Sequence, residues 1–184
     1  MKMGFKYPIR YAEPSYEFED GSICDYLLEE VDGIEILRRP RSPEAVFLSN
    51  AISSRLRAIL PPNAFLSERG VIEQANSYTR PNLAVFPGNF RDYAQAHPRA
   101  ARLIVEVAEE DGGYEITTKA RIYADFGAEE YLAIVPVANQ VHRFCHPESF
   151  GYSQHQIFVD KEGVPVLGTF IGADTILNPP EARN

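Results

Sequence analysis

Leu103-Ile104-Val105-Glu106-Val107-Ala108 is the stretch whose reading decides the fold. It is apolar at successive positions, which predicts a central strand covered on both faces. On a strand, Ile104, Glu106 and Ala108 share one face, while Leu103, Val105 and Val107 share the other. A carboxylate in such a strand is costly unless something pairs with it. Glu106 therefore reaches solvent from the strand end, pairs with an arginine, or belongs to a site.

Downstream, Gly112-Gly113 breaks the chain, and a helix is expected over 114–126, closed by Gly127 in a C-cap role. Ile116, Ala120 and Tyr123 mark its apolar stripe, with Lys119 at the edge. From there the ammonium can turn to a carboxylate on the neighbouring strand, or form a surface i,i+4 pair with Glu115. Upstream, Arg80-Pro81-Asn82 leads into an expected strand over 83–86. Ser42-Pro43-Glu44 is a strong helix start: a capping hydroxyl, a proline at the first helical position and an acid that complements the dipole. Leu48, Ile52, Leu56 and Ile59 then recur at helical spacing until Pro61-Pro62 stops the helix.

The remaining expectations are coarser. A short helix is expected within 21–31, ending at Asp32-Gly33, followed by a strand over 34–37. Further strands are expected over 64–73, 131–135, 140–145 and 154–159. Residues 1–20 read as an irregular arm, 21–177 as a single domain and 178–184 as a loose tail. This order implies an α/β or α+β fold around one mixed sheet.

The chain has 184 residues and a formal net charge of -8, which disfavours nonspecific nucleic-acid binding by the surface as a whole. A local basic groove is still open: Arg38, Arg39, Arg41, Arg55, Arg57, Arg69 and Arg80 all fall in the first half. Acids cluster over 17–20, 29–32 and 106–111. Cys24 and Cys145 form no CxxC motif, and no run is long and apolar enough for a signal peptide or a membrane span. Two free thiols in the cytoplasm are the expectation. His142, Phe144 and His146 would share a strand face near Cys145, but no fourth ligand stands at zinc spacing. His97 and His155 stand alone, and no nucleotide loop or nucleophilic triad is present.

Glu29-Glu30-Val31-Asp32-Gly33, Ser42-Pro43, Arg80-Pro81-Asn82-Leu83, Val105-Glu106-Val107, Lys119 with Tyr123, Gly127 and Glu130-Tyr131 occur in that order. This ordered set resembles the Uma-two family of bacterial restriction-endonuclease-like proteins, within the PD-(D/E)XK nuclease superfamily. The resemblance runs from about Asp25 to Val135, and more weakly to Leu177. It implies a mixed β-sheet flanked by helices, with additional antiparallel strands. It also implies hydrolysis of DNA phosphodiester bonds with Mg²⁺ or Mn²⁺. Two carboxylates would hold the metal, the metal would activate water, and a lysine would neutralise charge. Related folds pair, so a homodimer is a further expectation.

Carried over residue by residue, Glu106 is the catalytic acid, and the Val107 carbonyl joins the metal shell. The superfamily lysine two residues after the acid is here Ala108, and Lys119 takes its place. Glu29 matches an acid of an early helix facing the site, and Glu115 is a supplementary acid. Arg38, Arg39, Arg41 and Arg80 are the candidate DNA contacts.

Two departures stand out. Asn82 replaces the metal-binding aspartate, offering an oxygen without charge, and Ala45 replaces a histidine early in the long helix. The loop after the catalytic strand reads Glu109-Glu110-Asp111, acids that either repel a phosphate backbone or supply a replacement ligand. Both departures leave open a nuclease fold without catalysis, serving as a binding or assembly module.

Overall fold

The computed structural model describes residues 15–17, 23–25, 27–68, 70–93 and 97–180. Its centre is a six-stranded sheet. The strands are β5 (Ala64–Ser67), β8 (Leu83–Pro87), β9 (Ala101–Val107), β10 (Ala128–Val135), β11 (Gln140–Glu148) and β12 (Gly151–Phe158), in the spatial order β12-β11-β10-β9-β8-β5. Only β9 and β10 run parallel, so the sheet is mixed. The crossover between them carries a helix, as a parallel connection requires. The strand expected from Leu103-Ile104-Val105-Glu106-Val107 is the third from one edge and buried on both faces.

One face of the sheet packs Leu83, Val85, Leu103, Val105 and Val107 against helix α1 (Pro43–Ile59), helix α3 (Ala173–Leu177) and the hairpin β13–β14 (Gly163–Val166, Thr169–Gly172). Helix α1 begins as its sequence predicts. The Ser42 hydroxyl accepts from the Ala45 amide at 3.1 Å, and Leu48, Ile52 and Leu56 are buried on the apolar stripe. The other face packs Ala84, Phe86 and Ile104 against helix α2 (Ala120–Phe126) and against Val31 and Ile72 of a second, four-stranded sheet. A π-helical turn, Glu115–Lys119, leads into α2, and Gly127 closes it in the left-handed conformation at φ 84°. Gly112 also needs its freedom. Its φ is +78°, and a Cβ there would lie 2.6 Å from Val135.

Three sequence expectations differ from the structure. Residues 21–31 form no helix: β2 (Ile23–Asp25) pairs with β1 (Ser15–Glu17), and β3 (Leu27–Val31) pairs with β4 (Ile34–Arg38). Glu29 is therefore a strand residue. The physical reason lies in Asp32-Gly33. Both have positive φ, 51° and 82°, so the dipeptide is a hairpin turn joining two strands. The strand expected over 64–73 is two strands in different sheets, β5 and β6 (Ile72–Gln74). The smaller sheet runs β4-β3-β7-β6, with β7 at Ser77–Thr79. Of the arm expected over 1–20, Ser15–Glu17 is a strand and the rest lies outside the described residues, as do Arg69, the Cys24 side chain and residues 181–184 of the tail. Among the described residues, no helix is long and apolar enough to cross a membrane.

Candidate active site

The register of the sheet builds the site. Leu83 of β8 stands opposite Val105 of β9. One residue further along, Asn82 faces Glu106, and its backbone amide donates to Glu106 Oε2 at 3.3 Å. Both residues are 3% exposed. Ala133 on β10 is the other neighbour of Glu106, and its small side chain leaves the carboxylate room.

Glu106 belongs to a buried charged cluster, not to a solvent-reaching strand end. Its Oε1 accepts from Lys119 Nζ and from the Tyr123 hydroxyl, each at 2.5 Å. Lys119 is 2% exposed, so the surface pair with Glu115 does not form; its ammonium instead also lies 3.0 Å from Glu29 Oε1. Glu115 pairs with Arg38 at 2.7 Å, and Arg38 also stands 3.6 Å from Glu29. Three carboxylates and two cations thus share one desolvated cluster, with a formal charge of about -1.

The geometry perturbs several groups. Burial pushes the Glu29 carboxyl up, but the Lys119 ammonium and the Arg38 guanidinium together hold it below the usual range. Burial lowers the basicity of Arg38, while Glu115 and Glu29 raise it further, so it stays charged. Burial and then the Glu106 charge raise the Tyr123 hydroxyl well above its ordinary value, so it remains a donor. Tyr114 lies under Arg38, with the guanidinium carbon 4.7 Å from the ring centroid.

Asn82 is anchored at both ends of its amide. Its Oδ1 accepts from the Val107 amide at 3.0 Å, and its Nδ2 donates to Ser49 Oγ at 2.9 Å. Ser49, on the buried stripe of α1, donates in turn to the Ala45 carbonyl at 2.6 Å.

Every residue that the sequence singled out for catalysis, metal or DNA contact lines one small cavity of about 20 Å³. Glu29, Asn82, Glu106, Val107 and Lys119 form its buried end. Arg38, Arg39, Arg41, Arg80 and Glu115 complete it, together with Glu109. Arg41 donates to the Arg80 carbonyl at 3.0 Å, and Arg80 Nε donates to the Tyr78 hydroxyl at 2.9 Å. The sequence does not single out Ser49 or Tyr114, and it places Tyr123 on the apolar stripe and in the ordered motif without a role at Glu106. A serine on the stripe of Leu48, Ile52 and Leu56 was the available signal for Ser49.

A family model described as "Uma2: Putative restriction endonuclease" matches residues 13–173. The chain belongs to that family. Its fold is similar to a crystal structure described as "a putative nuclease belonging to DUF820" from Anabaena variabilis ATCC 29413. The TM-score is 0.69 at 15% identity, over 82% of this chain and 89% of that one. The mixed sheet flanked by helices, expected from the ordered motifs, is thus the fold of this family member. No curated protein matches the chain.

The histidines form no metal centre, and among the described residues no group of three His, Cys, Asp or Glu could hold an ion. His155 is not alone: its Nε2 lies 2.9 Å from His142 Nδ1 across β11 and β12.

Proposed function

We propose that this Uma2-family protein hydrolyses DNA phosphodiester bonds at Glu106, with a divalent cation, Mg²⁺ or Mn²⁺, held there weakly. One observation carries the proposal: Glu106 and Glu29 converge within 3.0 Å of the Lys119 ammonium, directly beside Asn82. Such convergence of buried acids and a lysine is expensive, and a site of phosphoryl chemistry gives it a purpose.

The remaining hydrogen-bonding capacity bears on the fit of a metal. Glu106 Oε1 already accepts twice, whereas Oε2 and Asn82 Oδ1 each accept one hydrogen bond and retain a lone pair. Two oxygens beside a small polar cavity suit a hard cation in kind, with one carboxylate fewer than an aspartate at 82 would provide. Glu106 and Asn82 would hold the ion, with the Val107 carbonyl and Glu29 as further oxygens. When bound, it would lower the pKa of a water and draw charge from the phosphate. Lys119 pairs with Glu106 Oε1 and orients it, and Tyr123 fixes the same oxygen. Arg39, Arg41 and Arg80 line the same cavity and would meet phosphate oxygens, with Arg38, paired to Glu115 and Glu29, behind them as a fourth positive charge.

The test is cleavage of varied DNAs with Mg²⁺ or Mn²⁺ by wild type, Glu106→Ala and Asn82→Asp. Wild-type cleavage is expected to be slow, to vanish in Glu106→Ala and to rise in Asn82→Asp. Cleavage untouched by Glu106→Ala sinks the assignment.

A second reading, a nuclease fold that binds without cutting, is favoured by the Ser49–Asn82–Val107 bonds. They make the amide a structural connector between α1 and β9. Calorimetry separates the two: Mg²⁺ or Mn²⁺ binding that is lost in Glu106→Ala counts against the binding-only reading.

A further inference from the structure

A groove of about 570 Å³ opens beside the catalytic cavity, and Leu27, Arg41 and Arg80 line both. Among the described residues, its other walls are Glu68, Gly70, Val71 and Pro81. We infer that this groove is a nucleoside pocket, and that the protein takes an unpaired DNA strand with one nucleotide turned into it. The inference rests on the nuclease reading only for the fate of the attached phosphate.

Two observations and one general constraint converge. First, Glu106, Asn82 and Lys119 are each 2–3% exposed at the end of a cavity of about 20 Å³, too small to admit a phosphate and its flanking sugars together. The nucleotide next to that phosphate needs adjoining space. A volume near 570 Å³ lies within the roughly 300–1,000 Å³ of small-molecule sites. Second, the chemistry is divided along the groove. Arg41 and Arg80 stand at the shared mouth, where a phosphate would pass, and each is held in place, Arg41 by the Arg80 carbonyl and Arg80 by Tyr78. Leu27, Val71 and Pro81 give an apolar lining for a base, and Glu68, held by Ser53 at 2.5 Å and by Arg57 at 3.0 Å, closes the far wall as a partnered acid. Third, a stacked duplex keeps each base between its neighbours. Only an unpaired or flipped nucleotide can turn sideways into such a space.

The experiment measures binding by fluorescence anisotropy in EDTA, so no cleavage is needed. The ligands are a labelled 12-nucleotide single strand, the duplex of the same sequence and the corresponding RNA. Wild type is expected to bind the single DNA strand about ten-fold more tightly than the duplex. Val71→Trp and Leu27→Trp fill the groove from two walls, and both are expected to lose about that factor on the single strand alone. The chain has no tryptophan of its own, so each variant reports its own folding by fluorescence alongside circular dichroism. Equal or tighter duplex binding, binding of neither form, or tighter RNA binding overturns the inference. So does wild-type affinity in both folded variants. Single-strand preference without cleavage in Mg²⁺ sustains the pocket and rejects the nuclease reading.

Discussion

The two faces of β9 solve the same problem by opposite means. On one face, Leu103, Val105 and Val107 lie against α1 and α3 in a dry core, where dispersion and loss of water contact suffice. On the other, Ile104 gives way within two residues to Glu106, and stability depends on each charge finding its partner. The dry face tolerates modest volume changes at graded cost. The charged face does not, because removing one member leaves another buried and unpaired.

The largest effect is therefore expected from Lys119→Met, which leaves Glu29 and Glu106 without their shared cation. Urea unfolding should show a loss of about 3–5 kcal/mol, partly recovered in the double variant with Glu106→Gln. A loss below about 1 kcal/mol would place Lys119 among ordinary surface pairs and break the comparison. Leu103→Ala on the dry face should cost about 2–5 kcal/mol, set by the cavity left behind. Its effect should add to that of a change on the far edge strand, such as Gln156→Ala on β12, which a thermodynamic cycle checks. Ser49→Ala comes next, at about 1–3 kcal/mol, because Asn82 Nδ2 loses a buried acceptor. The same loss in an Asn82→Leu background would show that Ser49 stabilises by some other route.

The smallest effect is a slope. Glu29 has its carboxyl held below 4.5, so the unfolded chain takes up a proton first as pH falls. Its contribution is complete above that value and is lost as pH drops through the lower, folded value. Stability of Glu29→Gln should accordingly depend less steeply on acid pH than that of wild type. Parallel curves would assign the acid sensitivity to other carboxylates.

How much of this the sequence disclosed follows from the range of the forces involved. Ser42-Pro43, the stripe of Leu48, Ile52 and Leu56, and Gly127 act within a few residues, and the helices formed where those signals stood. The anomaly of Glu106 was visible because its neighbours declare a covered strand. The segment 21–31 was misread because Leu27, Leu28 and Val31 suit a helical turn as well as a strand. Pairing with β4 across Asp32-Gly33, a partner outside the segment, decided between them. The cluster itself was legible only as an ordered set of residue types. That Arg38 holds Glu115 across 77 positions, so that Lys119 is left to Glu29 and Glu106, is a fact of three dimensions.

The Ser49 hydroxyl is a rotor with one proton to give. It now points that proton at the Ala45 carbonyl and turns a lone pair toward the amide of Asn82. An aspartate at 82 would present an oxygen where the NH₂ group stands, and two lone pairs would meet. The rotor would have to reverse, surrendering the carbonyl inside α1 to satisfy the new neighbour. Position 82 therefore cannot change its chemistry in isolation: exchanging one nitrogen for oxygen redirects a proton in the first turns of the helix behind it.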